Sequence, residues 1–205
     1  MQERWWGSGL AKFFKTRRFN FIVRTMGLDL DKETKMLEVG SATGKDFIAF
    51  LKNKPSFKIT GIDIDKYVID HPTANQIQGD AENLPFEDKS FDFVISLGLL
   101  EHIEPIEKLS KVISEIDRVA KSYCIVIPAI NTRIEPHMKS WKWQLRDRNY
   151  KKQFRHAGLN YYSDDAWTKF GGFKGAKTKR FWYIPQLISN LVIYKTENED
   201  LVRMV

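Results

Sequence analysis

Met36–Phe47, MLEVGSATGKDF, is the stretch that decides how this chain folds. A short apolar run ends in the acid Glu38, two glycines (Gly40 and Gly44) flank three small residues, and the polarity then changes. That is the outline of a strand turning through a tight loop into a helix, with glycine supplying the backbone freedom that a tight loop demands. Loops of this kind hold nucleotides, so the question is which nucleotide this one suits.

Outward from the loop, strands and helices alternate. KMLEVG reads as a buried strand and KDFIAFLKN as the helix after it. FKITGIDID is a second strand ending in acids, and DKYVIDH a short helix stopped before Pro72. TANQIQGDAENLPF holds a third, short strand and a polar turn, and SFDFVISLG is a fourth strand. IEPIEKLSKVISEIDRVAK gives the strongest helix signal, with Ile106, Leu109, Ile113, Ile116 and Val119 on one stripe. SYCIVIPAI is a fifth strand. The alternation from residue 35 to residue 129 predicts right-handed crossovers and a parallel sheet covered on both faces. Residues 10–26 show roughly helical spacing. After a basic, aromatic excursion come a short helix (DDAWTKFG), a strand (AKTKRFWYIP), a last strand (LISNLVIYKT) and a tail expected to fray.

The totals narrow the class. A chain of 205 residues, 42% hydrophobic and 29% charged, suits one globular domain with one sizeable core. A single cysteine, Cys124, excludes an internal disulfide framework and a cysteine-based zinc cluster; set in YCIVIP, it reads as a buried structural thiol. No metal site is expected. The charged N-terminus is unlike a signal peptide, and no apolar run reaches the ~20 residues that cross a bilayer, so a cytoplasmic setting is expected. The formal net charge is +7. Residues 131–180 hold thirteen Lys/Arg against four Asp/Glu, while the rest of the chain is slightly acidic. A smaller cluster, Arg4, Lys12, Lys15, Arg17, Arg18 and Arg24, lies near the start. Such fields favour anionic partners: phosphorylated small molecules, nucleic acid or an acidic membrane face.

Two phosphate readings of the loop fail. The dinucleotide fingerprint G-x-G-x-x-G meets Ala42 at its middle position and Lys45 at its third. It also leaves Glu38 beside a pyrophosphate, which is repulsive. A P-loop needs one more residue between its glycines, and here Asp46 follows Lys45. An acid before the glycines suits a ligand with a cationic group nearby.

EVGSATG resembles motif I of the class I S-adenosylmethionine-dependent methyltransferases (methyltransferase type 11-like), written E/D-x-G-x-G-x-G. It matches at Glu38, Gly40 and Gly44 and departs at Ala42. The resemblance implies an α/β fold: a Rossmann-like, seven-stranded, mostly parallel sheet with helices on both faces and the last strand antiparallel. It implies S-adenosyl-L-methionine as cofactor, cradled by Gly40, Ser41, Ala42 and Gly44 with Glu38 beside them. GIDID looks like the second motif, with Asp63 on the ribose hydroxyls and Ile64 on the adenine face. GDAENLPF places Asp80 on the adenine amino group and the Ala81 amide on a ring nitrogen. SLGLLEHI lines the methionine end with Ser96 and Leu97, and His102 starts the next helix. FRHAGLNYYSDDAWTKFGGF is similar to the family's approach to its late strands. The resemblance covers residues 35–129 well and 154–195 loosely, but not 1–30 or 130–153.

The expected organisation is one methyltransferase domain over 1–205: a helical cap (1–30), a cofactor-binding core (35–129), a substrate-side insertion (130–162), then a C-terminal helix and strands (163–197). His102, His137 and His156 are the candidate catalytic residues, with Tyr161 and Tyr162 behind them. Three readings of the acceptor side compete: a small anionic or amphiphilic acceptor, RNA held by the basic 131–180 segment, or a non-catalytic partner subunit that binds the cofactor. Several residues also have plainer readings. Glu38 can cap the amides of the following helix, Asp63 and Asp65 can be helix caps, Asp80 a turn residue, and Asp92 a structural acid near its strand's start. His71 reads as a loop residue. Trp5–Trp6 reads as an anchor or a lid, and Trp141, Trp143 and Trp167 as packing for the excursion.

Overall fold

The apolar run before the glycines forms β1, Thr34–Val39, at the centre of the sheet. The computed structural model describes residues 8–68, 74–129, 132–135, 140–141, 162–169, 173 and 175–197. Around β1 stand β2 (Phe57–Asp63), β3 (Ala74–Gln78), β4 (Phe91–Leu97) and β5 (Ala120–Pro128). β6 (Ile134–Glu135) and β7 (Ser140–Trp141) form a separate two-stranded ribbon, and β8 (Lys177–Ile184) and β9 (Ile188–Lys195) return to the main sheet. Its order is β3-β2-β1-β4-β5-β9-β8. β1 pairs parallel with β2 and β4, β2 with β3, and β4 with β5, whereas β9 runs antiparallel to both β5 and β8. The expected mostly parallel, seven-stranded sheet with an antiparallel last strand is the one found.

A parallel strand buried on both faces reads as a continuous apolar run. β1 shows how the alternation divides it: Leu37 and Val39 face one core cluster, Met36 the other. On the first face lies α3, Ile106–Val119. Its buried stripe is Leu109, Val112, Ile113, Ile116 and Val119, and Ile106 is 41% exposed. The expected stripe is corrected there, because at ~100° per residue Val112 lies nearer the stripe's centre than Ile106. On the second face lies α1, Ser8–Met26, which buries Phe19, Ile22 and Met26 against Met36, Phe47, Phe93 and Ile95. The other helix of that layer, α2, is Phe47–Phe50, far shorter than KDFIAFLKN suggested. Pro55 lies just beyond, and the residue before a proline is pushed out of helical backbone. No helix forms over residues 65–68, so the DKYVIDH reading and the Asp65 cap fail there; residues 69–73, with His71, lie outside the described residues.

Other expectations hold. Asp92 accepts the Lys35 amide (2.9 Å) and pairs with Lys121 (2.7 Å), tying β4 to the first residues of β1 and β5. Cys124 is buried in β5. α4, Asp164–Lys169, sinks Trp167 to 2% exposure, edge-on to Tyr162 at 5.4 Å. Among the described residues, no helix is long and apolar enough to cross a membrane.

Candidate cofactor site

Every second residue of the loop after β1 has left-handed backbone: Gly40 (φ +76°), Ala42 (φ +43°) and Gly44 (φ +65°). At Gly40 glycine is needed twice over, since an added Cβ would also sit 3.0 Å from Leu99 Cβ. The loop is tied to β2, with the amides of Gly40 and Ser41 donating to the Ile62 carbonyl (2.9 and 3.2 Å). The Ala42 amide donates to Asp63 Oδ2 (2.8 Å), so the acid at the end of β2 holds the apex of the loop. Its other oxygen accepts the Asp65 amide (3.2 Å). Each carboxylate oxygen keeps a lone pair for a further donor.

Beside this loop opens a cavity of about 290 Å³, near the ~300 Å³ lower bound of small-molecule sites. Gly40, Asp63, Ile64, Asp80, Ala81 and His102 line it, so six of the expected site residues come together. Ile64 is 67% exposed there, an apolar side chain with no apolar cover. Asp80 accepts the Glu82 amide (2.9 Å), which is the turn reading, while still facing the cavity. Among the described residues the lining carries four carboxylates, Asp63, Asp80, Glu82 and Glu104, against one lysine, Lys108, which is itself paired with Glu82 at 3.0 Å. Leu99, Ile103, Lys108 and Val112 went unnoticed in the sequence. The signal for the first two was the turn after β4, marked by Gly98 at φ +69°.

The methionine-end residues do not line that cavity. Glu38 is 2% exposed, and its Oε2 accepts the Ile48 amide of α2 (3.2 Å), the helix-capping alternative. Burial, then the charge of Asp46, pushes its carboxyl up to about 8, against the pull of the Ile48 amide and Arg18. Ser41 is buried and donates to Gln76 Oε1 (3.0 Å). Ser96 is buried in β4 with no hydrogen-bond partner for Oγ among the described residues, and Leu97 beside it is half-buried. His102 sits in a short 3-10 helix, Leu100–His102, and not at the start of α3. His137, His156, Tyr161, Trp143 and Trp5–Trp6 lie outside the described residues, as does the side chain of Trp141.

Residues 37–127 match a family model described as a methyltransferase domain. That stretch, less than half of the chain, is similar to methyltransferase domains. A demethylmenaquinone methyltransferase from Chlorobaculum tepidum is 32% identical over 99 residues, covering 46% of this chain and 39% of the relative. The chain thus spans about two fifths of that relative's length. An S-adenosylmethionine-dependent methyltransferase from Methanosarcina mazei superposes with a TM-score of 0.59 at 17% identity, over 85% of this chain and 96% of the other. The phosphoethanolamine N-methyltransferase 2 of Haemonchus contortus, solved with phosphomonomethylethanolamine and S-adenosylhomocysteine, gives 0.62 at 13% identity, over 87% and 51%. At such identities these two structures speak for the fold alone. The cofactor that the resemblance implies is S-adenosyl-L-methionine, and the residues around the loop fit it. The acidic cavity repels a pyrophosphate, Gly40 lines it with backbone alone, and the bare Ile64 offers an apolar plane.

Proposed function

We propose that this chain transfers a methyl group from S-adenosyl-L-methionine to a small anionic or amphiphilic acceptor. The observation that carries the reading is the four-carboxylate cavity at the ends of β1, β2 and β3. Its acids suit a nucleoside that brings hydroxyls, an amino group and a cationic sulfur, and they disfavour phosphates. Asp63 accepts from the ribose hydroxyls, Ile64 covers the adenine, Asp80 accepts from its amino group, and the Ala81 amide donates to a ring nitrogen. Gly40, Ser41, Ala42 and Gly44 bring backbone close, and Glu38, Ser96 and Leu97 serve the methionine end.

The cofactor supplies a methyl already activated on a sulfonium. The protein's work is then to hold the acceptor atom ~3 Å away, in line, and to exclude water. A base is required only where the acceptor is a hydroxyl, an acidic carbon or a protonated amine. His102, on the cavity wall, is the described candidate; His137 and His156, from the basic excursion, are the others.

The excess of cations in 131–180 supports an anionic acceptor. The Haemonchus structure holds an acceptor named as a phosphorylated amine, and the Chlorobaculum relative is named for demethylmenaquinone. The same cations favour a second reading, RNA, whose binding falls steeply with salt where turnover of a small acceptor falls gently. Labelled S-adenosylmethionine added to host extract, followed by mass-resolved detection with and without ribonuclease, tests both. Label in a small molecule, unchanged by ribonuclease, is expected. Label lost with ribonuclease would replace the first reading with the second. Cofactor binding with no labelled product would leave a non-catalytic partner subunit.

A further inference from the structure

Asp46 stands at the N-cap position of α2, where an aspartate ordinarily accepts the free amides of the first turn. Here its side chain makes no capping bond. The carboxylate turns instead to α1, to Lys15 Nζ at 3.0 Å and Arg18 Nη2 at 3.3 Å. Arg18 is held in turn by β8: its Nη1 donates to Tyr183 Oη at 2.9 Å. The Ile48 amide that Asp46 leaves alone is taken by Glu38. The alternation along β1 puts Glu38 on the same side of the sheet as Met36, the side that α1 and α2 cover. Two carboxylates and a guanidinium from three elements therefore share one region, behind a cavity that α1 does not line.

We propose that Arg18 is a positioning residue for the cofactor: by neutralising Asp46, it keeps the Glu38 carboxylate available to the ammonium of the methionine moiety. The proposal rests on the reading of Glu38 as that group's acceptor. Asp46 strengthens Glu38's hold on its proton, and Arg18 weakens it. A protonated Glu38 has no charge to offer an ammonium, so affinity climbs as Glu38 ionises toward pH 8. Of the groups facing this region, the Tyr183 hydroxyl and the Cys124 thiol do not titrate in that range. Burial holds the Tyr183 hydroxyl and the Cys124 thiol above their ordinary values. Lys15, at 47% exposure, is screened by water.

Calorimetric titration with S-adenosylhomocysteine, whose ammonium stays charged, from about pH 6 to about pH 9 is the test. The wild-type profile rises toward pH 8. Arg18→Met moves the rise to higher pH and weakens binding roughly three- to tenfold near pH 7. Asp46→Asn moves it to lower pH and tightens binding there, and Arg18→Lys, which keeps the charge, stays near wild type. Opposite shifts support the proposal. A pair that only braced the loop would weaken binding in both variants with the pH of the rise unchanged, and that result overturns it. Should Arg18→Met not fold, the direction of the Asp46→Asn shift decides alone. Wild-type protein that binds no S-adenosylhomocysteine overturns the reading of Glu38 and this proposal with it. Weakening in Glu38→Gln alongside unmoved Arg18 and Asp46 profiles overturns only the proposal.

Discussion

At the end of β2, Asp63 stands half-buried on an open cavity, holding the Ala42 amide at 2.8 Å, with Ile64 bare beside it. At the end of the neighbouring β1, Glu38 is 2% exposed and gives its carboxylate to an amide of its own protein. On the proposed reading the adenosine side is formed before any ligand arrives, because Asp63 would serve loop and ligand with different lone pairs. On the same reading the ligand would have to compete with α2 for Glu38 at the methionine side. Loss of Asp63 should therefore harm the free protein and its complex alike, whereas loss of the charge on Glu38 should help the first and harm the second.

The largest effect is expected at Glu38. The folded protein keeps a proton there up to about pH 8, whereas the unfolded chain releases it near 4.5. Between those values the folded state binds more protons, so stability falls as pH rises. Stability is fully present below about 4.5 and is lost progressively up to about 8, with no further loss from this group above it. Glu38→Gln removes that slope, a gain on the order of a few kcal/mol over wild type at the alkaline end. Melting temperatures across this range, subtracted between the two proteins, measure it. Cofactor affinity should fall in the same variant, and a variant losing both stability and affinity would erase the contrast with Asp63.

Asp63→Ala comes next. It leaves the Ala42 amide without its acceptor and the ribose without its partner, so affinity should drop by about 1–3 kcal/mol, with a parallel loss of thermal stability. Unchanged affinity in calorimetry would remove Asp63 from the ribose. Gly40→Ala should cost about 1–2 kcal/mol of stability, because the position combines φ +76° with Leu99 Cβ 3.0 Å from the new methyl. Chemical denaturation measures that loss, and a neutral result would mean that Leu99 yields.

How far the sequence reaches follows the same division. β1, β2, β4 and β5 were legible because strands buried on both faces are unbroken apolar runs, and α3 because five apolar residues repeat at helical spacing. Asp63, Asp80 and Gly40 line the cavity because each sits at a strand end or its turn, while the roles expected of them came from the resemblance. Ile106 was misplaced because a stripe's edge depends on what it faces and not on spacing alone. The pairing of Arg18 with Asp46 has no local trace, since 28 residues separate the partners and only the packing of α1 across the sheet joins them. The same holds for Lys108 and Val112, which reach the cavity because of where α3 lies. Asp46 stands just before an apolar run, where an N-cap is ordinary, yet its partners come from α1 and not from the helix amides.

The smallest effect tests the one place where the loop departs from its motif. Ala42 has φ +43°, in the region where an L side chain crowds its own backbone, and it is exposed on the apex that Asp63 holds. Left-handed backbone costs alanine about 1–2 kcal/mol relative to its preferred regions, while glycine loses ~0.5–1 kcal/mol more chain entropy on folding. The two nearly offset, so Ala42→Gly should stabilise by less than about 1 kcal/mol, or about 2–4 °C at most in a chain of this size. It also removes a methyl from the loop proposed to cradle the cofactor. If that methyl blocks close approach, affinity rises more than stability does, and the strain belongs to the adenosine side of the site. If affinity is unmoved while the melting temperature rises, the loop already holds its ligand-ready shape and alanine there is only a burden on folding.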